Sequence, residues 1–292
     1  MGNITKLFDP VLVKDLMEKV KGKSALAHLS PQIPVPFTGS KEFVFTMDNE
    51  IDIVAENGKF THGGIELEPV VVRPIKFEYG ARVSDEFMKA TEEEKINILK
   101  AFNDGFAKKV AKGLDIAAMH GVNPRTGAES EVVGSNCFDK KVDQTVTYDA
   151  GKIDENVEAA IEMVNGAEND VNGMAMSTQA RSALAKLTYK DGAQKFPELA
   201  WGNTPSTING LLTEVNNTVN NGTVKDRAIL GDFAEAFKWG YGKEVSFEVI
   251  EYGDPDNSGK DLKGHGQVYL RAYTFLGWGI MDKSAFSRIV EA

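Results

Sequence analysis

The sequence is poor in the residues that most often bind metals or form disulfides. Among 292 residues there is one cysteine, Cys137, and there are four histidines. A single cysteine excludes an intramolecular disulfide and indicates a reducing compartment, where we expect Cys137 to be a small buried apolar residue. The histidines share neither an HxxH nor an HExxH spacing, so the sequence predicts no zinc site.

Long apolar runs and an excess of basic charge are also missing. No run of 18 apolar residues occurs, and no basic segment followed by an apolar stretch opens the chain, so neither a membrane span nor a signal peptide is predicted. Acidic residues outnumber basic ones, 43 to 33, which disfavours a sequence-reading nucleic-acid protein. The GxSxG and SxxK motifs of serine nucleophiles are absent as well. We therefore predict no catalytic residue and no cofactor.

Prolines mark an extended arm near the N-terminus. Three of them, between positions 31 and 36, force extended backbone and forbid a helix. The apolar residues of this arm, Ile33, Val35 and Phe37, have no periodic partners nearby. We therefore expect the arm to lie on another surface instead of forming a free linker.

A long β ribbon is predicted after the arm. From Lys41 to Ser84 apolar and polar residues alternate with a period of two, the spacing of a strand with one buried face. The pair Asn57-Gly58 favours a tight turn between the two halves. Because a two-stranded ribbon is marginal alone in water and has unpaired edges, either the rest of the chain or a neighbouring copy must cover it.

The longest helical pattern of the chain follows. Thr91 and Glu94 form a capping box, and apolar residues recur every three or four positions up to the stop at His120-Gly121. The pattern predicts a helix over residues 92–120, about 42 Å long at 1.5 Å per residue. We call it the spine helix.

The second half mixes helices and strands. The patterns predict helices over 153–166 and 177–187, a strand over 211–215 inside an exposed asparagine-rich loop, a strand running into a short helix over 228–237, and antiparallel strands around 245–249 and 268–272. The glycine-flanked tryptophans at 239 and 278 are expected to pack in the core.

One segment is a near miss for a cation site. Asp254, Asp256 and Ser258 occupy positions 1, 3 and 5 of a calcium loop and Gly259 occupies position 6, but His265 stands where a bidentate Glu is needed. The segment also lies between two predicted strands and not between helices. A polar hairpin turn is the favoured interpretation over a weak metal site.

The order of these elements resembles the tailed-bacteriophage major capsid protein family, with its Hong Kong 97-type fold. Three passages carry the resemblance, namely residues 54–88, 229–237 and 268–286. It implies an α+β fold divided as follows: an N-terminal arm over 1–40, an extended ribbon or E-loop over 41–80, a peripheral domain over 81–145 with the spine helix, an axial domain over 146–279, and a return to the peripheral domain over 280–292.

The resemblance also implies a function. A structural major capsid protein self-assembles into pentamers and hexamers of an icosahedral shell that encloses double-stranded phage DNA without specific recognition. Its expected partners are copies of itself, a scaffolding protein and a portal, with no membrane involved. Its expected location is the virion, after assembly in the host bacterial cytoplasm. A nanocompartment shell of the encapsulin type, which encloses protein cargo, is the alternative. An enzyme of an unrecognised family is a distant third.

Six residues are expected to contact neighbouring subunits. Three belong to the arm and three to the turn of the ribbon: Ile33, Val35, Phe37, Asn57, Gly58 and Lys59. Some members of the family crosslink a ribbon lysine to an asparagine of another subunit, which makes Lys59 a candidate for that bond.

Overall fold

The structure is a computed structural model that describes residues 18–36, 38–47, 53–54, 56, 59, 65–86, 91–221 and 225–291. Its helices are α1 (Ala25–Leu29), α2 (Glu92–His120), α3 (Phe138–Lys141), α4 (Ile153–Gly166) and α5 (Thr178–Lys186). Its strands are β1 (Gln32–Pro34), β2 (Ser40–Met47), β3 (Ile65–Val72), β4 (Ile75–Ser84), β5 (Thr145–Thr147), β6 (Gly173–Met176), β7 (Thr207–Ile208), β8 (Leu211–Val215), β9 (Asp226–Gly231), β10 (Phe237–Ile250), β11 (Gln267–Ile280) and β12 (Phe286–Val290).

The spine helix is α2, and it begins and ends where the sequence predicts. The Thr91 hydroxyl accepts a hydrogen bond from the Glu94 amide at 3.3 Å, and the Glu94 carboxylate accepts one from the Thr91 amide at 3.1 Å. At the other end Gly121 takes the left-handed conformation, with φ of 68°, and its amide bonds to the Ala117 carbonyl. The capping box and the glycine stop together fix the length of the helix.

A four-stranded sheet with the order β1-β10-β11-β4 packs on the spine helix. The predicted antiparallel strands are β10 and β11, joined by a polar turn. The arm contributes β1, which runs parallel to β10 and places Ile33 beside Gly240. A Cβ at position 240 would lie 1.9 Å from the Ile33 carbonyl oxygen, so only glycine permits this approach.

The ribbon forms a separate sheet of its own. Strands β2 and β3 pair antiparallel, from Ser40 opposite Val72 to Met47 opposite Ile65. The β period predicted for this segment is therefore confirmed in its described part. The predicted turn at Asn57-Gly58 lies outside the described residues.

A six-stranded sheet, ordered β5-β12-β9-β6-β8-β7, organises the second half. Helices α4 and α5 cover it and share an apolar core with β6 and β9. Strand β12, near the C-terminus, inserts between β5 and β9. None of the helices within the described residues combines the length and apolar character that crossing a membrane requires.

The prediction of a short helix after β9 is wrong. Residues 232–236 form a turn, and Phe237 already begins β10. The Asp232 carboxylate accepts hydrogen bonds from the amides of Ala234 and Glu235, at 3.0 and 3.1 Å. A tight turn closed by an aspartate side chain thus brings Phe233 and Phe237 to the same core with a spacing that imitates a helix.

The main core lies between the spine helix and the sheets. It contains the apolar face of the spine helix from Phe106 onward, α1 and both predicted core tryptophans, which have no exposed surface. Phe286 packs edge-on against Phe138 and Phe233, with ring centroids 5.0 and 5.2 Å apart. Cys137 is buried here as well, in agreement with its predicted role.

Candidate functional site

The six predicted subunit contacts fall in different environments. Ile33 is half-buried in β1, and Val35 is only 3% exposed because its own chain covers it. Lys59 is exposed. The other three, Phe37, Asn57 and Gly58, lie outside the described residues. Val35 therefore has little surface left for a neighbour, whereas Ile33 and Lys59 keep theirs.

A buried aspartate of the spine helix holds the N-terminal arm at residues 24–26. Asp115 accepts hydrogen bonds from the Ser24 hydroxyl at 2.5 Å and from the amides of Ala25 and Leu26 at 2.9 and 3.2 Å. It also accepts one from the Thr218 hydroxyl at 3.0 Å. A spine carboxylate thus caps α1 and reaches the loop before β9.

The cost of burying that carboxylate is visible in its pKa. Desolvation raises the pKa of Asp115 to about 6, although the hydrogen bonds from Ser24, Ala25, Leu26 and Thr218 oppose the shift. No basic side chain is among the causes of this shift. Asp115 is therefore a structural acceptor, satisfied by neutral donors.

A second buried group joins the end of the spine helix to the six-stranded sheet. His120 Nδ1 lies 3.0 Å from the Asp139 carboxylate, and His120 Nε2 lies 2.9 Å from the Thr218 carbonyl oxygen. The Arg288 guanidinium donates to both carboxylate oxygens of Asp226, at 2.8 and 3.1 Å, and to Asp139 at 2.6 Å. We call His120, Asp139, Asp226 and Arg288 the buried quartet.

The hydrogen bonds of His120 indicate its charge. A carbonyl and a carboxylate are both acceptors, so each ring nitrogen must carry a proton to bond with its neighbour. Burial alone would lower the pKa of His120, but the hydrogen bond and charge of Asp139 outweigh it, and the pKa lies above its ordinary value. Within the quartet, Arg288 and the protonated His120 face the carboxyl groups of Asp139 and Asp226, and burial raises the pKa of Asp226.

The same quartet is a poor metal site. Ligand atoms of His120, Asp139 and Asp226 lie within 4.8 Å of one another, a spacing that would suit an ion. Both nitrogens of His120 are engaged, however, and Arg288 bonds to both carboxylates. The Arg288 guanidinium lies where a metal ion would bind and supplies the positive charge that the metal ion would bring.

The calcium-like segment also binds an arginine. Arg82 lies on β4, and four acceptors surround its Nη2: Asp254 at 2.6 Å, Asp256 at 2.5 Å, the Ser258 hydroxyl at 2.6 Å and the Lys260 carbonyl at 2.9 Å. Its Nε donates to Asp256 at 2.9 Å. The guanidinium holds the pKa of Asp256 well below its usual range. The favoured hairpin turn is confirmed, and the three predicted oxygen ligands hold an internal cation.

The charged groups of this arrangement are engaged by one another. Burial raises the pKa of the Cys137 thiol, which makes it a poor nucleophile. The His120 imidazole is enclosed by its partners, with no exposed side-chain surface. Within the described residues, the buried polar groups tie the arm, the spine helix and the two larger sheets into one body.

These features define a class of protein. A long capped helix supports two sheets, while a two-stranded ribbon forms a sheet apart from them. Strand edges of this kind suit contacts between copies. The class is a self-assembling structural subunit.

The chain belongs to the phage capsid family, whose model matches residues 7–290. Family membership makes it a major capsid protein, a structural subunit of a virion shell that forms by self-assembly. The predicted resemblance is confirmed.

Solved structures agree with this assignment. A chain of Mycobacterium phage Ogopogo is 27% identical, with 92% of each chain covered and a TM-score of 0.78. A chain of Gordonia phage Cozz is 24% identical over 94% of this chain and 86% of that one, with a TM-score of 0.72. The capsid of an empty GTA particle, computed with C5 symmetry, shares the fold at 14% identity, covering 92% and 90%, with a TM-score of 0.66. We found no curated protein with significant sequence similarity.

The predicted α+β fold of the Hong Kong 97 type is confirmed by these matches. Sequence reasoning missed the two arginine-centred groups because Arg82 lies 174 positions from Asp256 and Arg288 lies 62 positions from Asp226. The only local signal was the calcium-like spacing at 254–259, which indicated a cation without revealing that Arg82 supplies it.

Proposed function

We propose that the chain assembles into pentamers and hexamers, which close an icosahedral shell around double-stranded phage DNA. The observation that supports this best is the ribbon. Strands β2 and β3 form a sheet of only two strands, so each has an edge without a strand partner among the described residues. Such edges need a cover, and in a shell the neighbouring copy supplies it.

We base the proposed division into a peripheral and an axial domain on which strands pair with one another. Strands β10 and β11, within residues 237–280, belong to the sheet that contains β4 and packs on the spine helix. Strand β12, residues 286–290, pairs with β9 in the other sheet. We propose that the four-stranded sheet and spine helix form the peripheral domain and that the six-stranded sheet forms the axial domain. This proposal differs from the expected boundaries at 146–279 and 280–292, because it assigns β10 and β11 to the peripheral domain.

Other partners belong to the proposal too. The net charge of −10 suits a container that encloses DNA without holding it by specific contacts. A scaffolding protein and a portal are proposed as assembly partners, with assembly in the host cytoplasm. We further propose that the chain has no enzymatic activity. No specific observation favours protein cargo over DNA.

The test uses the full chain and a variant without the end of the ribbon. Met47 and Ile65 are paired across the ribbon, so joining them through Asn-Gly closes a shorter hairpin by a two-residue turn. We expect the full chain to form capsomers and shells on size exclusion and negative-stain microscopy. The shortened variant should keep its circular dichroism and melting temperature but fail to close shells.

Particles from infected or co-expressing cells test the cargo. Shells that protect double-stranded DNA from nuclease support the proposal. Shells filled with protein and free of DNA support the nanocompartment instead. A chain that remains a monomer or small oligomer under all assembly conditions contradicts both.

A further inference from the structure

One tryptophan is placed in a way that the fold itself does not need. Trp201 is fully exposed, at 105% of its reference surface, whereas Trp239 and Trp278 have no exposed surface. A tryptophan side chain typically buries about 150–250 Å² when it packs. Here that apolar surface contributes no burial to the stability of the single chain.

The backbone at this position is also unfavourable for tryptophan. Ala200 has φ −61° and ψ 152°, and Trp201 has φ 57° and ψ 25°. These are the angles of the two central residues of a type II turn, whose second position favours glycine or asparagine. A residue with a Cβ is strained in this left-handed region.

The strained turn is fixed firmly from both sides. Leu199 is fully buried, and its carbonyl accepts a hydrogen bond from Arg181 Nη1 at 3.0 Å. The Asn203 side chain donates to the Glu198 carbonyl at 2.8 Å, and its amide donates to the Ala200 carbonyl at 3.2 Å. Strain of this kind persists where the surroundings impose it, and it concentrates at functional positions.

We propose that Trp201 is a subunit-contact residue that packs against a neighbouring copy of this chain. This inference rests on the proposed assembly. The occupant is a second copy because the chain belongs to a capsid family, and in a shell the surfaces nearest each Trp201 are those of other copies. Tryptophan is also among the residues that contribute most to interfaces.

The chain contains its own reporter for a direct test. Only Trp201 is accessible among the three tryptophans, so acrylamide quenching of intrinsic fluorescence measures its exposure. We expect strong quenching in the unassembled chain and, in assembled particles, quenching reduced to that of a Trp201→Phe variant, in which only the two buried tryptophans emit. Quenching that is equally strong in particles and in the free chain would overturn the proposal.

Substitution separates an interface role from a folding role. Trp201→Gly relieves the left-handed strain, so the melting temperature of the unassembled chain should stay unchanged or rise. Assembly should nevertheless fail or need a much higher protein concentration. Trp201→Phe keeps an aromatic ring on the same backbone and should retain most of the assembly. A glycine variant that assembles at the wild-type concentration contradicts the contact.

Failure of this inference differs from failure of the proposed function. If the wild type forms shells in which acrylamide quenches Trp201 as strongly as in the free chain, the shell assignment is supported and the proposed contact is wrong. If the wild type forms no shell, the contact still predicts that quenching of Trp201 falls as the protein concentration rises and smaller oligomers form. A wild-type chain that remains monomeric and fully quenchable at every concentration overturns both.

Discussion

Two arginines, Arg288 and Arg82, each bind two aspartates, yet their surroundings differ. In the buried quartet the Arg288 and Asp226 side chains are 4% and 0% exposed. In the other group Arg82 is 15% exposed, and its partners Asp254 and Asp256 are 28% and 31% exposed. Water can reach the aspartates around Arg82 and can solvate them if the guanidinium is removed. The aspartates around Arg288 are largely buried, so water has little access to solvate them.

The difference shows what each group does for the subunit. The buried quartet joins the end of the spine helix, α3, β9 and β12, so it fixes the spine helix to the six-stranded sheet. Arg82 joins β4 to the turn between β10 and β11, which lies at one end of the four-stranded sheet. We therefore expect the first group to control global stability and the second to control local order.

The largest effect is expected from Arg288→Ala. The change leaves Asp226 buried without its bidentate partner and removes one of the two cations that face Asp139, which typically costs roughly 3–5 kcal/mol. Urea unfolding of the unassembled chain measures the loss. The exposed Arg125 gives a matched control, since Arg125→Ala should change the free energy of unfolding by less than about 0.5 kcal/mol. Equal losses in the two variants would contradict the assignment.

Asp115→Ala is expected to have the next largest effect. It removes an acceptor shared by five donors, the fifth being the Asn216 side-chain amide at 3.5 Å. Unsatisfied buried donors destabilise by about 1–3 kcal/mol each, so a total near 2–4 kcal/mol is expected after water enters. Limited proteolysis should also cut the segment before residue 36 more readily. Lys112→Ala, at an exposed position of the same helix, is the control. A loss no greater than that control would show that Asp115 does not hold the arm.

The pH dependence of stability should depend on His120. Its folded pKa lies above the unfolded value, so its stabilisation is fully present below about pH 6.5 and is lost as pH rises through the folded pKa. Burial also raises the pKa of Asp115 and Asp226, which gives the same sign. The free energy of unfolding should fall from pH 6 to 8.5, and less steeply in His120→Gln. Identical slopes in the two proteins would refute a charged His120.

The smallest global effect is expected from Arg82→Ala. Its partners are partly hydrated and its charges are screened by solvent, so the melting temperature should fall less than in Arg288→Ala. Hydrogen exchange should accelerate within residues 253–266 and remain unchanged in the spine helix. A collapse of global stability as large as that of Arg288→Ala would erase the distinction between the two groups.

Local signals predicted much of the fold. The capping box at Thr91 and the stop at Gly121 predicted both ends of the spine helix correctly, because both signals act within one turn of the helix. Period-two alternation predicted part of each long strand, 245–249 of β10 and 268–272 of β11, but not their full lengths. The turn after β9 was mistaken for a helix because two buried phenylalanines four residues apart satisfy either structure.

The polar groups were beyond prediction from local patterns. Arg82 and Asp256 are separated by 174 positions, and Asp115 and Ser24 by 91. The sequence did not predict the type II turn at Ala200-Trp201, because the second central position of such a turn usually holds glycine or asparagine and here holds Trp201. Long-range pairing depends on the whole fold, and burial of a charge is decided by what packs around it.

The most direct test is a cryo-electron microscopy reconstruction of particles assembled from the full chain. We expect closed shells in which the ribbon of each copy, β2 and β3, lies on a neighbouring copy, with the spine helix and the buried quartet intact within each subunit. Particles in which every ribbon folds against its own chain, with open edges facing solvent, would contradict the account, as would the absence of any shell.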